Sequence, residues 1–334
     1  MMSRPAEPLP GNTPGEVGPE PLISVVIPNW NGAAHLPTCL NALRRQTDPR
    51  FEVIVVDNGS QDESLPLLAR EYPEVQIVAL DRNLGFAGGV NAGIRKAQGA
   101  LVALLNNDTE AGPEWLAEMR LAFGRHPGAG MVASKILLFD RRDTLHSAGD
   151  FYRVDGIPGN RGVWQPDSPE FNVEGPVFGP CGAAVGYRRE MLQDVGLFDE
   201  SLFAFCEDVD LAWRGQVAGW PCIYAPRSVI YHRLSATGGG VIASYYNGRN
   251  CLTVMAKNYP GPLLRTHWRA IWAAQWRIAS DALKAWRGEA ARARLRGQIA
   301  GLLRLPLIWS RRRQVQSRRR VPLEYLESIL TEVD

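Results

Sequence analysis

The chain has 334 residues, 45% of them hydrophobic and 22% charged, a globular composition with room for one large domain and an appendage. Cys39, Cys181, Cys206, Cys222 and Cys251 are odd in number and widely spaced, with no C-x-x-C pair, which suggests neither a disulfide framework nor a zinc centre and favours a cytoplasmic protein. The net charge of +2 hides an asymmetry: residues 263–320 carry fifteen Arg and Lys against Asp281 and Glu289, so an acidic body is joined to a basic tail suited to an anionic surface.

Residues 1–20 are rich in Pro, Gly and Glu, without the basic start and apolar run of a secretory signal, and read as a disordered leader. Four short apolar runs follow, Leu22 to Ile27, Phe51 to Val56, Val75 to Leu80 and Leu101 to Leu105, separated by amphipathic stretches near Ala33 to Arg45, Asp62 to Tyr72 and Gly88 to Ala97. This alternation predicts an α/β fold with a mostly parallel sheet covered by helices on both faces. From about Arg141 to Gly175 the periodicity fades, and strand texture returns at Pro176 to Tyr187. A helix is predicted from Glu207 to about Gly219, then two short strands, Cys222 to Ala225 and Val229 to Tyr231, then a Gly238-Gly239-Gly240 break and a helix reaching Lys257. No apolar run is long enough to span a bilayer; the best, Ile299 to Trp309, is cut by Arg304 and Pro306. The predicted organisation is a catalytic domain over 21–257 and a basic, tryptophan-rich helical tail over 258–334.

In such sheets ligands sit beyond the carboxyl ends of the strands, and these ends are polar: Pro28-Asn29-Trp30-Asn31-Gly32, Asp57-Asn58-Gly59-Ser60, Asp81-Arg82-Asn83 and Asn106-Asn107-Asp108-Thr109. Asp57 is a turn carboxylate or an acceptor for nucleotide hydroxyls. A dinucleotide enzyme would need G-x-G-x-x-G after the first strand, and Pro28 to Gly32 does not supply it. The stretch Asn83 to Gly93, with Gly88 and Asn91 inside it, opens a helix with small residues and suits either a phosphate cradle or close packing. Asp108 is a helix cap or an oxygen ligand for Mg²⁺ or Mn²⁺. In Glu207-Asp208-Val209-Asp210 the spacing of Asp210 and Arg214 predicts an i,i+4 ion pair, leaving Glu207 and Asp208 as one cap and one base. His232 is a structural histidine, or a metal ligand if the fold carries it to Asp108.

Taken in order, Val26 to Asn31, Val55 to Ser60, Asn83 to Asn91, Leu104 to Thr109 and Glu207 to Leu211 resemble the inverting family 2 glycosyltransferases, especially the bacterial rhamnosyltransferase-like branch. The resemblance spans about Leu22 to Lys257 and rests on five ordered motifs. It implies a GT-A fold, a nucleoside-diphosphate-sugar donor held by Pro28, Asn29, Asn31, Asp57, Gly59, Asn83, Gly88, Asn91, Asn106 and Asn107, and a Mg²⁺ or Mn²⁺ on Asp108 and His232. It also implies a catalytic base at Asp208 beside Glu207, and transfer of a sugar, rhamnose among the candidates, to a glycan or lipid-linked acceptor in surface polysaccharide synthesis. Asn106 stands where many members have Asp, which leaves the metal site one charge poorer.

The rival readings are a nucleotidyltransferase, which would carry a Gly-rich, Arg-containing loop after the first strand, and a non-catalytic nucleotide-sugar-binding membrane scaffold, against which the acidic pair and Asp108 argue. In the tail, Trp268, Ile271, Trp272, Trp276, Ala279, Leu283 and Trp286 fall on one side of a helix with Arg269, Arg277, Lys284 and Arg287 beside and opposite it. The stripe packs on the catalytic domain or meets an anionic membrane at its cytoplasmic face. No nucleic-acid-binding motif accompanies the arginines.

Overall fold

The computed structural model describes residues 22–233 and 240–333. The predicted leader, and Gly238 and Gly239 of the glycine break, lie outside the described residues. The first part alternates strand and helix as the sequence pattern requires: β1 (Ile23–Asn29), α1 (Leu36–Leu43), β2 (Phe51–Asp57), α2 (Ser64–Glu71), β3 (Gln76–Ala79), α3 (Gly85–Lys96) and β4 (Leu101–Leu105). There follow β5 (Thr109–Ala111), α4 (Trp115–Arg125), β6 (Met131–Leu138), β7 (Leu145–Ser147), β8 (Asp150–Tyr152), β9 (Pro158–Asn160), β10 (Gly175–Val177), β11 (Ala184–Arg188), α5 (Arg189–Val195), α6 (Glu207–Val217) and β12 (Cys222–His232). The chain ends in α7 (Gly240–Asn258), α8 (Gly261–Thr266), α9 (Trp268–Lys284), α10 (Glu289–Leu303), α11 (Leu305–Ser317) and α12 (Leu323–Ser328).

The main sheet has the order β10-β12-β6-β11-β4-β1-β2-β3, with β5 paired to β12 and β7 to β6. Strands β4, β1, β2 and β3 are parallel, as is the β6–β12 pair. β11 runs antiparallel between β4 and β6. β1, β4 and β6 are buried almost throughout and are covered on the two faces by two hydrophobic clusters, one around α3 and α6, the other around α1 and α4. Both faces being dry, β1 and β4 carry nearly continuous rather than alternating apolar residues.

Two expectations are revised. The two strands foreseen at 222–231 are one, β12, with a register shift between Ala225 and Val229; Pro226 falls in that interval, where a residue without an N–H is tolerated. The strand texture at 176–187 is two strands in different parts of the sheet, β10 against β12 and β11 against β4 and β6. The hydrophobic core continues past 257: Tyr259, Leu263, Val315 and Leu326 are buried in the same cluster as Tyr152 and Trp213, and the Tyr259 hydroxyl donates to the Val154 carbonyl at 3.0 Å. The apolar content of α8, α11 and α12 completes this core.

Candidate active site at the strand ends

The C-terminal ends of β1, β2 and β4 are joined by side-chain hydrogen bonds. Asn107 donates to Asn29 Oδ1 at 2.7 Å, and Asn29 donates to Asp57 Oδ1 at 3.1 Å. The second oxygen of Asp57 accepts the Ser60 amide at 3.0 Å. Asn29, Asp57 and Asn107 are buried, so each polar atom is held by a partner rather than by bulk water. The approach is close: a Cβ on Gly32 would lie 2.1 Å from Asn107 Nδ2 and 2.2 Å from Asn29 Oδ1, so glycine is required there. Pro28 is half-buried one residue before Asn29. Asn31 is exposed with φ 51°; its amide donates to Ser60 Oγ, and its Oδ1 accepts the Gln61 amide. Gly59 turns with φ +75° over the backbone of Arg82.

At the start of α3 the close-packing alternative has the geometry on its side. The amides of Leu84, Gly85 and Ala87 are taken by Asn58 Oδ1, Asn83 Oδ1 and the Phe203 carbonyl. Asn83 thus caps the helix. Gly88 is buried within it, and Asn91 is locked to the Phe198 backbone in both directions and to Glu200 Oε1. Three of the amides that a phosphate could use at this helix start are thus committed to the protein itself.

At the end of β4, the Asn106 amide donates to the Ala183 carbonyl at 2.9 Å, and Asn106 Oδ1 is buried without a partner. Asp108 is buried, and pairing of β5 with β12 sets Thr109 opposite His232. His232 Nε2 lies 3.1 Å from Asp108 Oδ1, and its Nδ1 lies 3.0 Å from Nδ1 of His146, whose ring it stacks on. Burial first, and the neighbouring His232 second, push the His146 imidazole down to about 4 against the pull of Asp108, so His146 is neutral at physiological pH. Among the described residues no three His, Cys, Asp or Glu side chains gather as a metal site. One imidazole nitrogen and one carboxylate side by side nonetheless suit Mg²⁺ or Mn²⁺, which keep waters and phosphate oxygens as their remaining ligands.

The acidic pair opens α6. Asp208 Oδ2 accepts the Gly182 amide at 2.9 Å and Oδ1 its neighbour Val209's at 2.8 Å. Gly182 precedes Ala183, the partner of Asn106, so one short segment ties the acidic pair to the β4 end. Burial raises Asp208 above its ordinary value, with the Gly182 and Val209 amides opposing. Glu207 is raised well above the carboxylate range by burial and then by the Asp208 charge, and its Oε2 is buried without a partner. Of the two, Asp208 is the more exposed and the less strongly held in the acid form. Asp210 is buried and pairs with Arg214 at 2.9 Å, as its spacing predicted, and additionally with Lys257 and Asn258 at 2.7 Å each.

Sequence reasoning missed His146 and Asp150. Asp150 Oδ1 accepts from Ser147 and Asn160 at 2.9 Å, and the carboxyl is pushed well above its usual range by burial and by Asp208. Both lie in the stretch without periodicity; the only signal was the run Leu145-His146-Ser147-Ala148-Gly149-Asp150, with two titratable groups among small residues.

Residues 24–196 match the family model for glycosyl transferase family 2. The chain is 27% identical over 241 residues to an N-acetylglucosaminyl-diphospho-decaprenol L-rhamnosyltransferase of Mycobacterium tuberculosis, covering 65% of this chain and 78% of that protein. An uncharacterized protein of Sinorhizobium fredii is 29% identical over 231 residues; the match takes 66% of this chain and only 25% of that longer protein. Among solved structures, a mannosyltransferase of Pyrobaculum calidifontis in complex with GDP-Man and Mn²⁺ superposes with TM-score 0.54 at 18% identity, over 95% of this chain and 89% of that one. A GalNAc-T7 structure with UDP, GalNAc and Mn²⁺ gives TM-score 0.60 at 17% identity, over 71% and 48%. These likenesses establish the GT-A fold. The chain belongs to glycosyl transferase family 2 and is a glycosyltransferase.

Proposed function

We propose that the chain transfers a sugar from a nucleoside diphosphate to a hydroxyl of a glycan or lipid-linked acceptor with inversion, in polysaccharide or glycolipid synthesis at the cytoplasmic face of a membrane. L-Rhamnose is the sugar favoured by likeness to the mycobacterial L-rhamnosyltransferase. The observation that carries the reading is the placement of Asp208 through Gly182 beside the strand end bearing Asn106 to Asp108.

In this reading the network Asn107–Asn29–Asp57, with Asn31 and Gly59 at its rim, fixes the nucleoside. Asp108 and His232 would hold Mg²⁺ or Mn²⁺, with His146 orienting the His232 ring through the Nδ1 contact. A bound ion would neutralise charge growing on the diphosphate as it leaves. Asp208 accepts the proton of the acceptor hydroxyl while that oxygen bonds to the anomeric carbon and the bond to the diphosphate oxygen breaks, the diphosphate taking the electron pair. A positioned base of this kind contributes about 10²–10⁴ in rate. Its raised affinity for a proton brings the carboxylate nearer to the working pH.

The test is a panel of nucleoside-diphosphate sugars with a lipid-diphosphate N-acetylglucosamine acceptor, read by diphosphate release and by NMR of the product anomer. Transfer with the anomeric configuration reversed relative to the donor supports the reading. Retention, or no transfer from any member of the panel, overturns it.

A further inference from the structure

Two groups stand out among the arginines of the C-terminal segment. Arg311 and Arg320 pair with Asp199 and Asp194 at 3.0 and 2.6 Å. Arg304, Arg312 and Arg318 donate to backbone carbonyls of Ser201, of Ala256 and Tyr259, and of Asp194. This group clamps α11 and its flanks to the catalytic body. Arg265, Arg269, Arg287 and Arg296 are exposed and have no anionic partner among the described residues; the Arg269 guanidinium lies 5.5 Å from the Trp268 ring.

The predicted single apolar stripe is divided in the same way. Ile271, Ala274 and Ala282 are buried. Trp268, Trp272, Trp276 and Leu283 are 57, 63, 60 and 54% exposed, and Trp286 just beyond is 60% exposed. On a helical wheel the four exposed residues of α9 span roughly 80° and sit about 120° from the buried row. Packing of α9 against α10 therefore accounts for the buried row and not for the tryptophans. The rings of Trp272 and Trp276 stack at 6.0 Å and 2°, a preformed plate. Gln298 of α10 donates to the Gln275 carbonyl of α9, so the hairpin is antiparallel and Ile299, Leu302 and Leu303, exposed by 58, 54 and 74%, lie toward its Trp268 end. Leu307 and Trp309 of α11 add 73 and 60%. No described helix is long and apolar enough to cross a membrane.

We infer that α9, the α9–α10 hairpin and the start of α11 form the face by which the chain rests on an anionic phospholipid bilayer. Tryptophans 268, 272, 276, 286 and 309 lie at headgroup depth, and Arg265, Arg269, Arg287 and Arg296 lie on the lipid phosphates. This deepens the proposed membrane-side function and rests on it for the acceptor alone. The charge pattern selects a bilayer over a second copy of the chain. Indole rings with one polar N–H suit the interface, and unpaired guanidinium groups are drawn to anionic headgroups. Self-association through the same face would instead bring unpaired arginines together.

The test uses the full chain with vesicles of phosphatidylglycerol and phosphatidylcholine, against phosphatidylcholine alone. Sedimentation of the wild type with the anionic vesicles, weakening with salt, is expected, together with a blue shift of tryptophan fluorescence. Each arginine neutralised should lower partitioning about fivefold; Arg269→Glu with Arg287→Glu should lower it by more than about tenfold per site. Trp272→Ser with Trp276→Ser should lower partitioning by about tenfold or more and remove most of the blue shift. Because these side chains are exposed, melting temperatures should match the wild type. Equal, negligible sedimentation of wild type and variants, variants binding as the wild type does, or a dimer in solution that shields the tryptophans would overturn the inference. Turnover on a water-soluble acceptor, measured in parallel, separates the two proposals: full turnover without vesicle binding removes the docking face alone, and vesicle binding without turnover removes the catalytic reading alone.

Discussion

Asp208→Asn removes the proposed base with the smallest change of shape. The native carboxylate accepts one backbone amide on each oxygen, from Gly182 at 2.9 Å and Val209 at 2.8 Å. An asparagine offers one oxygen, so its NH₂ must face the other amide, donor to donor. One N–H then loses its partner, at a cost of about 1–3 kcal/mol. Against this, burial already disfavours the charged form of Asp208, and a neutral amide relieves that penalty, so the net loss lies toward the lower end of the range. A domain with roughly 5–15 kcal/mol of stability survives it. The barrier to transfer is another matter, since loss of a general base slows the step by about 10²–10⁴, or roughly 3–5 kcal/mol. Initial rates of diphosphate release, beside a thermal melt, should show a folded protein with intact donor binding and almost no transfer. The raised proton affinity adds a second signature. Wild-type rate should fall on acidification from a pH above the usual carboxylate range, because the base must be ionised, and the variant's residual rate should lack that limb. More than about a tenth of wild-type transfer in the variant, or an unchanged acid limb, would refute the assignment.

Asp108→Ala and His232→Ala should each abolish nearly all transfer in a folded protein, with wild-type rate lost in excess chelator and restored by Mg²⁺ or Mn²⁺; full wild-type activity in chelator would contradict both assignments. Glu207→Gln should stabilise the fold selectively at higher pH. Burial and Asp208 raise the folded-state affinity of Glu207 for its proton, so its cost to the wild type is absent below the unfolded carboxyl's range and grows as pH rises toward the folded value. Denaturant melts across pH should show the gain widening in that direction, and a pH-independent difference would contradict it. Gly32→Ala would set a Cβ 2.1 Å from Asn107 Nδ2 and 2.2 Å from Asn29 Oδ1, parting a 2.7 Å hydrogen bond; about 1–3 kcal/mol of stability and a weaker nucleoside diphosphate complex by calorimetry are expected, and unchanged affinity would remove this network from the donor site.

What the sequence disclosed was what local pattern decides. Asn29, Asp57 and Asn106 to Asp108 could be placed at one edge because each directly follows an apolar run, and parallel strands share a direction. β6 escaped notice because Ser134 and Lys135 interrupt Met131–Leu138; the Lys135 ammonium is buried only by pairing with Asp167 and Asn172, more than thirty residues away. The same distance problem hid His146 and Asp150. Their positions follow from the β6–β7 pairing and from reciprocal hydrogen bonds between Asp150 and Gly179, neither of which leaves a periodic trace. The glycines of α3 left two readings open for a related reason: a phosphate and the groups at Asn58 and Phe203 compete for the same amides, and the competitors come from other parts of the fold.

The C-terminal segment shows how a boundary drawn by charge differs from one drawn by packing. Asp210, two residues after Asp208, has no solvent exposure and is held by Arg214, Lys257 and Asn258. Burial would raise its affinity for a proton, but the Lys257 and Arg214 charges outweigh it and keep it low. Lys257 also pairs with Asp199, which Arg311 of α11 meets from the other side. Removing one partner from such a buried network leaves an uncompensated charge, at roughly 3–5 kcal/mol. The helix that carries Asp208 is therefore fixed by residues beyond 257, and a chain cut there would lose Asn258, Tyr259 and Arg311 together. The basic tail is two structures in one stretch of sequence. Its inward arginines hold α11 and its flanks to Asp194, Asp199 and the end of α7, while its outward tryptophans can serve a surface without disturbing the proposed base.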